Sequence, residues 1–225
     1  MDTSRKNTDI LIELNEIYFR YRERPVLNGL SFCFCEGERV GLIGPNGSGK
    51  TTLFHIIMGL LKPDAGELKI FGQPRRKEKD FTEVRRRIGF VFQDPDDQLF
   101  SPTVAEDIAF GPLNLGIPRE EVLGIVSRTL DMLGLKGFEN RVTHKLSGGE
   151  KRLVSVATVL AMNPNILLLD EPTAGLDEKT VARLSKILKN LDTSYIIASH
   201  DKEFLQKVTN KLYKLQGGKL VMVDS

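Results

Sequence analysis

The chain has 225 residues, 32 of them basic and 30 acidic, for a net charge of +2. That length is long for one domain, short for two, and sufficient to bury a sizeable core. The charge balance gives no basis for direct binding to nucleic acid or anionic lipid, and no run approaches the roughly 20 apolar residues of a membrane span.

The N-terminal "MDTSRKNTD" is polar, has no apolar signal region, and is expected to form a flexible tail over residues 1–9. Strands are predicted next, in "ILIELNEIYFRY" (10–21) and "LNGLSFCFCEG" (27–37). Alternation puts Phe32 and Phe34 on one face of the second and Cys33 and Cys35 on the other. Two residues apart, the cysteines are poor disulfide partners, and no further Cys or His pair completes a metal site. They are expected to be small buried hydrophobes in a reducing compartment. "RVGLIG" (39–44) is a short apolar strand, and a helix pattern follows from Gly49 to Leu60. "GELKIFG" and "RIGFVF" read as two more strands. Between them, "RRKEK" (75–79) and "RRR" (85–87) are expected to form a solvated basic surface.

From about Thr103 to Met162 the pattern is helical. "TVAEDIAF" opens with a capping box, Thr103 to Glu106. "PREEVLGIVSRTLDMLGL" is amphipathic, with Pro118 suited to a first turn and Gly134 to an end. "SGGEKRLVSVATVLAM" is a third helix, after which strands return in "NILLLD", "SYIIASH", "KLYKLQ" and "KLVMV". The predicted plan is a single α/β domain with a mainly parallel sheet. Residues 10–93 and 161–225 form its core, and a helical subdomain is inserted over about 94–160. The first strands lack intervening helices and are expected to pair antiparallel.

Two motifs carry chemistry. "GPNGSGKT" (44–51) matches GxxxxGK[ST] in full, with a strand before it and a helix after it. Gly44, Gly47 and Gly49 free the loop to turn its N–H groups inward around phosphate oxygens at a helix N-terminus. Lys50 is a point charge for the β- and γ-phosphates, and the Thr51 hydroxyl suits Mg²⁺. Asn46, Gly47, Ser48, Gly49, Lys50, Thr51 and Thr52 are thus candidate ATP contacts. "NILLLDE" (165–171) is a strand for burial on both faces that ends in two acids. Such carboxylates need a cation or a donor. Asp170 fits a Mg²⁺ shell, and Glu171 fits a base that orients water.

With "LSGGEKR" (146–152), "AGLD" (174–177) and "SHD" (199–201) in the same order, the chain resembles the ATP-binding cassette (ABC) ATPases, a branch of the P-loop NTPases. The resemblance runs from about residue 10 to 223. It implies an aromatic, Tyr21, against adenine, and it implies that Gln93 reaches Mg²⁺ and the attacking water. Ser147, Gly148 and Gly149 are implied to contact ATP held by the other member of a head-to-tail dimer, a second copy or a close homologue. His200 is implied to contact the γ-phosphate and Asp177 to couple the two sites. His55 and His144 match no motif and are expected to be structural or exposed.

The stretch "VFQDPDDQLFSPT" (91–103) acquires a reason from this resemblance. Gln93 ends a core strand where the chain leaves for the helical insertion, and the acids after it suit a basic partner helix. In ABC transporters that segment forms part of a groove for a membrane subunit, here about residues 94–110. "FQDPDDQLFSPTVAEDIAFGPLNLG" and "LSGGEKRLVSVATVLAMNPNILLLDEPTAGLD" are similar to the ATPases of energy-coupling factor (ECF) importers, especially the cobalt and nickel branch. That implies an integral membrane coupling protein, a substrate-capturing membrane protein, and a place on the cytoplasmic face of the membrane. Many such ATPases continue with a C-terminal segment, whereas this sequence stops at Ser225. The rival readings are another ABC transporter type, a soluble ABC protein acting on DNA or ribosomes, and a non-hydrolysing module. Only about 100 residues separate the phosphate loop from LSGGE, and heptads are absent, unlike in the DNA-repair type.

Overall fold

The computed structural model describes residues 10–223; the tail expected over residues 1–9 lies outside them. In chain order the strands and helices are β1 (Ile10–Tyr21), β2 (Arg24–Cys35), β3 (Arg39–Ile43), α1 (Lys50–Ile57), β4 (Ala65–Ile70), β5 (Gln73–Pro74), α2 (Phe81–Arg87) and β6 (Ile88–Val91). Then come α3 (Val104–Asn114), α4 (Arg119–Met132), α5 (Gly148–Leu160), β7 (Ile166–Asp170), α6 (Glu178–Lys189), β8 (Ser194–Ala198), α7 (Lys202–Val208), β9 (Lys211–Gln216) and β10 (Lys219–Val223).

The strands form two sheets. One is antiparallel, in the order β2-β1-β4-β5, as the absence of helices between β1 and β2 implied. The other has the order β10-β9-β3-β8-β7-β6 and is parallel apart from β10. Every residue of β7 and β8 is buried, as expected of parallel strands covered on both faces. The period-2 alternation of side chains divides the core accordingly. Leu42, Ile166, Leu168 and Ile196 pack with α1 and the antiparallel sheet. Leu167, Leu169, Tyr195 and Ile197 pack against the helical side, with α3 to α7.

Local chemistry sets the helix ends. The Thr103–Glu106 capping box is formed, with Thr103 N–H donating to Glu106 Oε2 at 3.0 Å. Gly134 follows α4 in the left-handed conformation, φ 60°. α1 is shorter than the predicted Gly49–Leu60: Gly49 is its N-cap, and Gly59, at φ 68°, takes the chain out of the helix. The sequence reading assigned no helix to α2, α6 or α7. α6 nevertheless carries an apolar stripe, Leu184, Ile187 and Leu188, that is buried.

Two expectations are corrected. Phe32 and Phe34 are buried as the alternation required, but Cys33 is exposed and Cys35 only half-buried. The cysteine face of β2, an edge strand, is left largely uncovered. The basic run is not one solvated surface either. Arg75 is 8% exposed and donates to the carbonyls of Ile70 at 3.0 Å and Asp80 at 2.9 Å and to Glu83 Oε2 at 2.9 Å. It ties β4 to the start of α2. Arg85 caps the end of α1 by donating to Met58 O at 3.1 Å, and the Arg87 guanidinium lies 3.6 Å from the Phe71 ring centroid.

Removing a buried guanidinium strands its carbonyl partners. Arg75→Ala is expected to lower unfolding free energy by about 2–4 kcal/mol in denaturant titration. Arg76→Ala, whose side chain is 75% exposed, is expected to change it by less than about 0.5 kcal/mol.

Candidate active site

β3, β8 and β7 are neighbouring parallel strands, so their C-terminal ends fall side by side. The phosphate loop leaves β3 at Gly44, the acids end β7, and Ser199 and His200 follow β8. Two backbone bonds fix these exits: Glu171 N–H donates to Ala198 O at 2.8 Å, and Ser199 N–H donates to Leu42 O at 3.1 Å. Ligand sites of open α/β sheets form at this edge.

The loop is held tightly. Gly47 and Gly49 have φ values of 74° and 108°, and a Cβ on Gly49 would lie 2.7 Å from Val26 Cγ1. A side chain there would thus be both strained and obstructed. Lys50, 6% exposed, donates from Nζ to Gly44 O at 2.8 Å and lies 3.7 Å from Glu171 Oε1. Thr51 Oγ1 donates to Asp170 Oδ2 at 2.6 Å. Glu171 Oε2 lies 2.8 Å from His200 Nδ1 and accepts from His200 N–H at 3.2 Å. Glu171 holds this position from a left-handed backbone, φ 45°, unusual for a residue with a side chain.

Lys50, Thr51, Asp170 and Glu171 border a cavity of about 530 Å³, whereas His200 does not line it. Tyr21, Arg24, Val26, Asn46, Gly47, Ser48, Gly49, Lys50, Thr51, Thr52, Gln93, Asp170 and Glu171 line it. Tyr21 Oη reaches within 3.5 Å of Thr52 Oγ1. Ser147, Gly148, Gly149 and Asp177 do not line it. Ser147 caps α5 in a capping box with Glu150, and Asp177 caps α6 by accepting from Thr180 N–H at 2.9 Å. That bond, with one from the Thr180 hydroxyl, holds the Asp177 carboxyl below the usual range. A Cβ on Gly149 would lie 3.6 Å from Thr180 Oγ1, so the two motifs sit against each other. His55 is half-buried with its ring 5.8 Å from Phe90; burial lowers its pKa, against the pull of Asp170.

Among the described residues, four buried side-chain polar atoms have no hydrogen-bond partner: Ser48 Oγ, Asp170 Oδ1, Glu171 Oε1 and Arg152 Nε. Three belong to residues that line the cavity, and the fourth belongs to a residue that lines a neighbouring groove with Gln93 and Asp170. Burial pushes the Asp170 carboxyl above the usual range, opposed by the Thr51 hydroxyl and by Lys50. A hydroxyl, a buried carboxylate with a free oxygen, and the Gln93 amide nearby form a hard-oxygen donor set that fits Mg²⁺.

Arg152 is a functional candidate that the sequence reading passed over inside "LSGGEKR". It is 3% exposed and donates to Phe92 O at 2.7 Å and to Gln93 O. Burial lowers its pKa, opposed by Asp94 and Asp170. Gln98 adds a second tie, accepting from Phe92 N–H at 3.0 Å and donating to Ser155 O at 2.7 Å. The end of β6 is thereby fastened to α5. Only the three-dimensional structure reveals the ties to α5, because their partners lie 57 to 60 residues apart.

A family profile described as "ABC transporter" matches residues 27–174. The chain is 46% identical over 216 residues to the energy-coupling factor transporter ATP-binding protein EcfA of Methanocaldococcus jannaschii, covering 94% of this chain and 77% of the relative. It is 47% identical over 216 residues to its namesake in Methanothermobacter thermautotrophicus, covering 94% and 70%. Among solved structures it is similar to cbiO1 of Clostridium perfringens, part of the ABC transporter complex cbiONQ, at TM-score 0.85 and 36% identity, covering 95% of this chain and 87% of that one. It is also similar to the cassette MJ0796, solved as a dimer in a post-hydrolysis state with ADP and Pi, at TM-score 0.84 and 30% identity over 93% of this chain and 96% of that one. The chain belongs to the ABC transporter family and is one of its ATP-binding, ATP-hydrolysing cassettes, with an α/β fold of the P-loop NTPase type.

Proposed function

We propose that this chain powers an ECF-type importer, hydrolysing ATP to drive uptake of a transition-metal ion, cobalt or nickel, or of a vitamin through membrane partner subunits. The placement of Glu171 carries the catalytic part. Its carboxylate is buried between Lys50 and His200, with Oε1 free to accept a proton or orient a water. Tyr21 supports adenine by stacking, and the N–H groups of Gly47 to Thr52 hold the phosphates. Lys50 stabilises charge spreading over the γ-phosphate as water attacks in line. Thr51, Asp170 and Gln93 would hold Mg²⁺, which when bound neutralises part of the phosphate charge. His200 fixes Glu171 through its Nδ1 and meets the γ-phosphate.

Ser147, Gly148, Gly149 and Asp177 lie outside the cavity of their own chain. They are assigned to the ATP of a second copy or close homologue in a head-to-tail dimer, a reading supported by the dimeric MJ0796 cassette.

The membrane partner is assigned to the groove beside Gln93, near residues 94–110. His55, Leu60, Phe92, Asp94, Pro95 and Asp97 contribute to its lining, and Phe100 and Phe110 expose a pair of edge-to-face rings 4.8 Å apart nearby. Of the acids in this segment, Asp96 is paired with Lys151 at 2.6 Å and Asp107 is buried, accepting from the N–H groups of Phe100 and Ser101. Asp94 and Asp97 both line the groove and are the acids assigned to a basic partner helix. Among the described residues no helix is long and apolar enough to cross a membrane, so the reading is peripheral attachment at the cytoplasmic face through these partners.

Glu171→Gln is expected to lower ATP turnover by roughly 10²–10⁴-fold while ATP still binds; phosphate release and nucleotide titration measure the two. Near-normal turnover removes Glu171 from its role. Arg152→Met keeps the packing volume and removes the donors to Phe92 and Gln93. It is expected to reduce turnover by about tenfold with ATP affinity within about threefold, and Arg152→Lys to recover part of the loss. The importer reading is tested by purifying the tagged chain from detergent-solubilised native membranes. Two small integral membrane proteins are expected with it, and recovery only from the soluble fraction with nucleic acid or ribosomes overturns it.

A further inference from the structure

The hairpin between β1 and β2 turns on Arg22 and Glu23, and Tyr21 is paired directly with Arg24 across it. Directly opposed residues of an antiparallel pair project from the same face, with Cβ atoms about 5 Å apart. A tyrosine ring and a guanidinium therefore leave the hairpin side by side. Both line the cavity of the phosphate loop, and so does Val26. The guanidinium reaches the loop itself: a Cβ built on Gly47 would lie 3.8 Å from an Arg24 terminal nitrogen.

Arg24 forms no ion pair among the described residues. Its neighbour on β1, Arg20, lies 3.6 Å from Asp64 and does not line the cavity. Lys50 approaches the same cavity from the buried side, whereas Arg24 is exposed at its mouth. An uncommitted guanidinium beside the glycine-rich phosphate loop matches an oxyanion and offers a planar fork that lysine lacks.

We infer that Arg24 is a second cationic contact for the phosphate chain of the nucleotide, closing over it from the solvent side while Lys50 holds it from within. The inference rests on the reading of this cavity as the ATP site. It adds a determinant that lies outside the phosphate-loop, LSGGE and LLLDE motifs, on a surface turn next to the aromatic assigned to the base.

The test is nucleotide affinity, by calorimetry, of Arg24→Ala, Arg24→Lys and Arg20→Ala with ATP, ADP and AMP, at low and high salt. Arg24→Ala is expected to weaken ATP about tenfold, with a smaller loss for ADP and the smallest for AMP. Raising salt is expected to narrow its gap to the parent chain. Arg24→Lys is expected to keep part of the affinity, and Arg20→Ala to keep all of it. Unchanged ATP affinity in Arg24→Ala overturns the inference. So does an equal loss for AMP and ATP, which places the guanidinium on base or ribose, or an equal loss in Arg20→Ala, which reduces it to net charge. Lys50→Ala separates the two levels. If it abolishes ATP binding while Arg24→Ala is normal, only the inference fails; if it too binds normally, the reading of the cavity fails.

Discussion

Asp170 and Glu171 are consecutive carboxylates at the end of a strand whose every residue is buried. Burying two adjacent negative charges is costly unless cations and donors are set against them. Much of the surrounding architecture supplies those partners. The parallel register brings Lys50 and Thr51 from the β3 exit and His200 from the β8 exit to the same point. The compensation is incomplete, since one oxygen of each carboxylate is left without a hydrogen bond. That residual demand for a cation or a proton suits a site built to bind a metal-nucleotide complex and to move a proton.

The same site is joined to the helical side through Arg152 and Gln98. Arg152 grips the backbone at the end of β6 from α5, the helix that begins at Gly148 after the Ser147 cap, and Gln98 bridges the same backbone to Ser155 on that helix. A displacement of α5 therefore cannot leave Gln93 unmoved. Gly149 in turn lies against Thr180, so the start of α5 and the start of α6 are also in register. The three segments assigned to ATP contact across a dimer and to a membrane partner are thus joined by direct contacts.

What was legible in the sequence was local. The glycine spacing of the phosphate loop, the buried strand ending in two acids and the caps at Thr103 and Gly134 all act within a few residues of where they are written. What was missed depends on how the chain folds back on itself. Arg75 lies in a basic run and reads as solvated, yet its partners are carbonyls of Ile70 and Asp80 and the Glu83 carboxylate, brought round by β5 and α2. Arg24 belongs to no motif, because the phosphate loop it overhangs is more than 20 positions away. The cysteines failed for a different reason. Alternation correctly separates the faces of β2, but it does not say whether the second face is covered, and on this edge strand it is largely open.

The backbone at Glu171 has a consequence for how the chain can drift. A side chain held in the left-handed region costs about 1–2 kcal/mol relative to glycine. Random substitution toward glycine or asparagine at this position would relieve strain, whereas keeping the glutamate preserves the role proposed for it at the expense of folding. Stability and turnover thus pull in opposite directions at a single residue. A library sorted for thermal tolerance alone would be enriched in chains that fold better, grip nucleotide, and no longer spend it.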